Sequence, residues 1–255
     1  RRHSGHPERY QSTDINQDPL EPFWGRMRPM AINNSNVCPQ ELPFEYSTDT
    51  ASEFYKQAMQ VYTVDANLKE EQRQMVLYWA DCPGETATPP GHWTTMMNAS
   101  IKSNQLNLEQ TAYMYGLVSI GINDAFIQCW YTKYDINLVR PKTYIQENFP
   151  NCENWEPYVI TPPFPEFASG HSVVSGCASE LLTHVLGDSI PFVDSTHYRI
   201  GLEPRKFNSF KEAAEEAAMS RLYGGMHYPA ANTQGLLQGR CIAQNIISNL
   251  KLKKE

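Results

Sequence analysis

Residues 108–134 read LEQTAYMYGLVSIGINDAFIQCWYTKY, and the fold turns on this stretch. It contains no proline and is apolar on most sides, which is the pattern of a helix enclosed by other helices. The expectation is therefore a central helix of a bundle. Its middle carries Asn123 and Asp124, which a membrane span would not tolerate. Nowhere does the chain approach the roughly 18 consecutive apolar residues that a span requires, so no membrane insertion is expected.

Working outward, amphipathic patterns cover Ser52 to Val64 and Leu68 to Trp79, the second with Glu70, Glu71 and Arg73 on a polar face. Pro89-Pro90 suits a helix start, running through His92 toward Ile101. Arg140-Pro141 stops the long stretch, because a residue before proline avoids helical backbone. Residues 147–168 read as loop, closed by Thr161-Pro162-Pro163-Phe164-Pro165. Further helices are expected from Ser169 to near Gly187, from Phe210 to Tyr223, and from Thr233 to Leu250, ahead of a lysine-rich tail. Strand alternation is almost absent, so the fold class is all-α, a helical bundle. Residues 1–48, rich in Pro, Asn, Asp and Arg, read as an extended arm or loop-rich segment, and residues 49–255 as a single α-helical catalytic domain. The chain begins at Arg1 with no apolar leader, the pattern of a mature or shortened product.

The length of 255 residues allows one large domain with an ample core. A net charge of −7 without blocks of like charge argues against nucleic acid as a partner. The cations that matter are thus local. Six cysteines are scattered without a CxxC pair, which disfavours a thiolate metal site. Cys129 and Cys177 fall in apolar helical patterns and read as buried thiols. Cys38, Cys82 and Cys152 lie in polar loops and are candidates for a disulfide in an oxidising compartment.

Three short stretches carry the chemistry: Lys133 with Arg140-Pro141, Ser169-Gly170-His171, and Ser220-Arg221 followed by His227. Lysine and arginine donors suit the oxygens of a planar or tetrahedral anion. Ser169 is a good helix cap, Gly170 allows close backbone approach, and a helix N-terminus offers free N–H groups to an anion. Lys133 and Arg140, seven apart, would line one side of a cleft as two turns of one helix. Arg221 and His227, six apart, would point about 120° away from each other on an unbroken helix. Gly224-Gly225 interrupts that helix and lets His227 turn to the same pocket. Taken singly, each stretch also reads as an ordinary capped helix, a solvated helix end or a core histidine.

Taken together, the order and spacing resemble the three-part signature shared by vanadium-dependent haloperoxidases of the bacterial type and type 2 phosphatidic acid phosphatases. The resemblance spans roughly residues 113–240, and the superfamily it points to is an all-α bundle. It implies vanadate as cofactor, with no haem or nucleotide. His227 would be the metal ligand, and Lys133, Arg140, Ser169, Gly170 and Arg221 would bind the oxygens. His171 would be the acid/base and Lys133 the donor to bound peroxide. Hydrogen peroxide and halide would be the substrates, iodide or bromide ahead of chloride, with an organic acceptor also compatible. Trp130 and Phe164 resemble the aromatic pair of a halide pocket, although core packing is what aromatics usually do. Soluble acid phosphatases share the pattern and would use a phosphohistidine at His227; a non-catalytic anion-binding relative is the third reading. Bacterial members are in part exported, which gives a periplasmic or secreted expectation.

Two positions depart from the family pattern. Ala168 stands where proline is usual, and Ala231 where an aspartate often follows the last histidine, so the support of Arg221 or His227 must come from Asn232 or a carboxylate elsewhere. Asp124 is expected to make a structural or outer hydrogen bond, and either Asp81 or Asp124 to orient His171. His92 reads as structural, His184 as a satisfied core or groove histidine, and His3 and His6 lack any partner pattern.

Overall fold

The computed structural model describes residues 19–250. Eight α-helices form the body: α1 (Glu53–Ala66), α2 (Glu70–Tyr78), α3 (Thr88–Ser103), α4 (Leu108–Ile136), α5 (Pro141–Asn148), α6 (Gly170–Leu186), α7 (Phe210–Tyr223) and α8 (Pro229–Asn249). The expected bundle is present, with α4 and α6 at its centre. Among the described residues the only sheet is an antiparallel hairpin of β1 (Phe192–Asp194) and β2 (Arg205–Phe207), with Val193 opposite Lys206. His3, His6 and the lysine-rich tail lie outside the described residues.

Local chemistry fixes the boundaries. Asn107 and Gln110 exchange side-chain and backbone hydrogen bonds at the start of α4, 2.9 and 3.0 Å long, satisfying donors that a helix start leaves open. Asn137 ends the helix in the left-handed region, at φ 53°. The helix at Pro141 was not foreseen in the sequence. The restriction imposed by proline acts on Arg140, which takes extended backbone as the cap, while Pro141 itself opens α5. The last helix likewise starts at Pro229, ahead of the expected Thr233.

Helices α6 and α8 touch backbone to backbone. A Cβ on Gly239 would sit 2.1 Å from Val173 O, and one on Gly176 would sit 2.5 Å from Leu236 O. Only hydrogen at these positions lets the two axes approach so closely. The seam locks the start of α6, which carries Ser169-Gly170-His171, against the start of α8, which follows His227. Ser169 N donates to Ala231 O across it at 3.2 Å.

The segment before α1 is tied to this body. Asp124 receives the backbone N–H groups of Met30, Ala31 and Ile32 at 2.7, 2.7 and 3.0 Å. Asp124 thus makes the structural hydrogen bonds expected of it, and of the two carboxylates open as partners of His171 it is the one removed: nine residues separate it from Lys133, about 180° around the helix. The disulfide also differs from the sequence reading. Cys38 pairs with Cys241 of α8, Cα to Cα 6.0 Å, whereas Cys82 and Cys152 are free. Loop polarity did not reveal a helical partner 203 residues away. Cys129 and Cys177 are buried thiols, as expected. His184, in the last turn of α6, is exposed and not a core histidine.

Candidate functional site

The cations meet from different elements. Lys133 projects from the last turn of α4 and Arg140 from the cap of α5, so they are not two turns of one helix as their spacing suggested. Both are fully buried. Lys133 Nζ donates to the carbonyls of Pro165 and Glu166, each at 3.0 Å. Arg140 Nε donates to Phe164 O and Nη1 to Met226 O, both at 2.9 Å. Arg221, at the end of α7, donates through Nη1 to Trp79 O at 2.8 Å and through Nη2 to Met226 Sδ. Backbone carbonyls thus aim all three heads.

The Gly224-Gly225 pair ends α7, and Gly225 takes φ 76°, which turns the chain sharply before His227. His227 Nε2 then lies 3.1 Å from Arg140 Nη1. Its Nδ1 is 2.8 Å from Glu166 Oε1, which also accepts the Tyr228 N–H at 2.9 Å. A carboxylate accepting at Nδ1 fixes the proton there and leaves the Nε2 lone pair facing the cations. Burial first, then Arg140 and Lys133, hold His227 well below the usual imidazole range. Glu166 therefore supplies the support that the alanine at 231 left unidentified. Ala231 is itself fully buried, with its carbonyl taken by Ser169. Asn232 lies nearby but turns to Ser172, accepting its hydroxyl at 3.4 Å.

Sequence reasoning missed Glu166, although a signal was there: one acid between Phe164-Pro165 and Phe167-Ala168 is costly to bury without partners. Its carboxyl is pushed up to about 7 by burial, against the pull of Arg140 and Lys133. Lys133 is pushed down to about 7, again chiefly by burial.

Across the pocket, Ser169 caps α6 and takes the Ser172 hydroxyl at 2.9 Å. His171 sits in the first turn, its Nε2 3.5 Å from Asp81 Oδ2, within ion-pair range but long for a hydrogen bond. The carboxylate beside His171 is thus Asp81. Burial, and then Arg221, push His171 down to about 4. Trp130, one turn before Lys133 on the same face of α4, meets the Phe164 ring at 5.0 Å. Lys133 Nζ lies 5.2 Å from the Phe164 ring centre, and a Cβ on Gly170 would fall 3.7 Å from Trp130.

The residues present fit a tetrahedral oxyanion. Lys133 and Arg140 act on Glu166 and Arg221 on Asp81, and three buried cations against two buried carboxylates leave an excess of positive charge that calls for an anion. Arg221 Nε is a buried polar atom with no hydrogen-bond partner in the protein. The first turn of α6 adds the backbone N–H groups of Gly170 and His171, which a helix start leaves without helical partners.

Comparison with known proteins follows the same line. The family model described as the VCPO second helical-bundle domain matches residues 113–253. The crystal structure of a bacterial vanadium-dependent iodoperoxidase superposes with a TM-score of 0.90 at 39% identity, covering 96% of this chain and 61% of that one. A bacterial vanadium-dependent chloroperoxidase in its holo form gives a TM-score of 0.75 at 16% identity, over 92% of this chain and 57% of that one, and shares the fold. The chain thus spans about three fifths of the iodoperoxidase it matches. No match is found among curated protein sequences. Among the described residues no helix is long and apolar enough to cross a membrane. With more than half its length matched by the family model, this chain belongs to the vanadium-dependent haloperoxidase family.

Proposed function

We propose that the chain is a vanadate-dependent haloperoxidase that oxidises iodide or bromide with hydrogen peroxide to hypohalous acid. The observation that carries the reading is the His227 ring, whose Nδ1 is tied to Glu166 while Nε2 faces a ring of buried cations. Vanadate, when bound, supplies a Lewis acid that activates peroxide toward the halide. His227 Nε2 would be its ligand, and Lys133, Arg140, Arg221, Ser169 and the Gly170 N–H would hold the oxygens. Neutral His171 accepts the proton that hydrogen peroxide gives up on entry, and Asp81 stabilises the resulting imidazolium. Lys133 donates toward the peroxide oxygen, and its depressed pKa makes that proton easier to release. Trp130 and Phe164 form the halide-side wall, where the Lys133 charge over the Phe164 ring favours an anion. The Cys38–Cys241 disulfide supports a periplasmic or secreted location.

The test is incubation with vanadate, peroxide and iodide or bromide, beside hydrolysis of a phosphomonoester without vanadate. Vanadate-dependent halide oxidation is expected. Its absence, together with robust hydrolysis, would transfer the same residues to a phosphatase with a phosphohistidine at His227. If neither activity appears but vanadate raises the melting temperature, the chain binds the anion without catalysis.

A further inference from the structure

Beside His171 lies a second buried polar cluster, Asp81, His92, Asp194 and His197, of which the proposed reaction uses only Asp81. Asp81 follows α2 and takes a left-handed backbone, φ 49°. Its Oδ1 is 2.9 Å from His92 Nδ1 and 3.1 Å from His197 Nε2. Its Oδ2 has no hydrogen-bond partner and faces His171 Nε2. On the far side, His92 Nε2 is 2.7 Å from Asp194 Oδ2, and Asp194 Oδ1 accepts from Thr196 N and Oγ1 at 3.0 and 2.6 Å. His92 is fully buried on α3, stacked on Trp79 at 4.5 Å and edge-on to His197 at 4.5 Å.

Both ring nitrogens of His92 face carboxylate oxygens at hydrogen-bond distance, and each such bond needs its proton on nitrogen. The ring therefore carries two protons and a positive charge. Burial opposes that charge more than any other single influence, yet the two carboxylates together outweigh it and push His92 up to about 9. Two donors on Oδ1 prevent the Asp81 carboxylate from rotating, so Oδ2 stays directed at His171.

We propose that His92, charged between Asp81 and Asp194, is with His197 a positioning residue that clamps the Asp81 carboxylate toward His171 and sets how readily His171 takes a proton. The proposal rests on the haloperoxidase reading for the step it serves, not for the clamp itself. The groups facing His92 are Tyr78 at the end of α2 and Asp81 just after it, Asp194 and His197 from the hairpin region, and His171 from α6; Arg221 of α7 acts on Asp81 and His171 rather than on His92. Tyr78 donates its hydroxyl to Asp194 O at 3.0 Å and stays protonated. Arg221 and charged His92 both disfavour a proton on His171, whereas Asp81 favours it. Neutralising His92 therefore leaves Asp81 less compensated and raises the affinity of His171 for its proton.

Two measurements test this. In the unsubstituted protein, nitrogen NMR of the histidine rings should show one histidine with both ring nitrogens protonated up to pH 8, and the signal should vanish in His92→Gln. Failure to find it, in any state of activity, overturns the charged clamp. In His92→Gln, which keeps one N–H donor but loses the charge, the acidic limb of the kcat profile should move up by about one pH unit. Vanadate affinity should stay within about twofold, since His92 touches none of the anion donors. Asp194→Asn should move the limb the same way and serves if His92→Gln does not fold. An unmoved limb, or parallel loss of vanadate affinity and turnover, reduces the cluster to a structural one and refutes the proposal. So does elemental analysis finding one equivalent of a divalent transition metal, for Asp81, His92 and His197 would then be its ligands. If the unsubstituted protein oxidises no halide, the haloperoxidase reading fails while the ring signals still decide the clamp.

Discussion

Glu166→Gln separates two tasks that one carboxylate performs beside His227. The glutamine oxygen can still accept from His227 Nδ1 and Tyr228 N, now at 2.8 and 2.9 Å, so the geometry is retained and the charge is lost. A hydrogen bond to an ionised group contributes about 1.5–3 kcal/mol and a neutral one about 0.5–1.5 kcal/mol. His227 becomes a weaker base, and outer partners of ligating histidines are worth about 10–100-fold in affinity or activity. Against this, removing a negative charge beside Lys133 and Arg140 strengthens their pull on any anion. At a separation of about 6 Å and an effective dielectric of about 20, that gain is about 3 kcal/mol. For vanadate alone the two effects oppose each other, and its affinity by itself decides little. In the proposed reading sulfate would feel only the charge, whereas vanadate would also bond to Nε2, so their ratio isolates the histidine. Calorimetric titration of both anions at one pH should show the vanadate-to-sulfate affinity ratio falling about 10–100-fold in the variant. An unchanged ratio would refute the claim that Glu166 acts through His227.

Sulfate, which does not titrate near neutrality, should bind more weakly as pH rises through 7, where Lys133 loses its proton and Glu166 ionises. Both changes remove positive charge, so the slope approaches about tenfold per unit for each group; a flat profile from pH 6 to 8.5 would contradict the buried, shifted pair. Gly239→Ala should destabilise the fold by about 3 kcal/mol or more, because the added Cβ lands 2.1 Å from Val173 O, and thermal unfolding reads it directly. Reducing Cys38–Cys241 should lower stability by up to about 5 kcal/mol, given the long loop it closes, and Cys38→Ser should reproduce the shift while Cys152→Ser should not.

The fold was legible because its main signal is local. The apolar girth of residues 108–134, the cap at Ser169 and the glycines at 224–225 each dictate structure within a few residues of themselves. The α5 helix was not, since Arg140-Pro141 reads equally well as the end of one helix or the start of the next. The anion-facing cations were visible as residue types in a fixed order. Their supports were not. Glu166 reaches His227 from 61 positions away, and Asp194 and His197 reach His92 and Asp81 from 102 and 116 positions away. No spacing rule operates over such distances, and only the rotation around α4 distinguishes Asp124 from Asp81 as a partner for His171.

The stretch from Phe164 to Glu166 has a bearing on how this site tolerates change. It offers three consecutive backbone carbonyls to Arg140 and Lys133 before Glu166 adds its side chain. Carbonyl contacts are indifferent to what the residue is, so replacement of Pro165 can leave the cations aimed. They are not indifferent to count. A single inserted or deleted residue between Pro163 and Ala168 would move every one of these acceptors out of register at once. Divergence at this stretch is therefore freer in letters than in length, and an engineered halide pocket is better sought by exchanging side chains here than by resizing the loop.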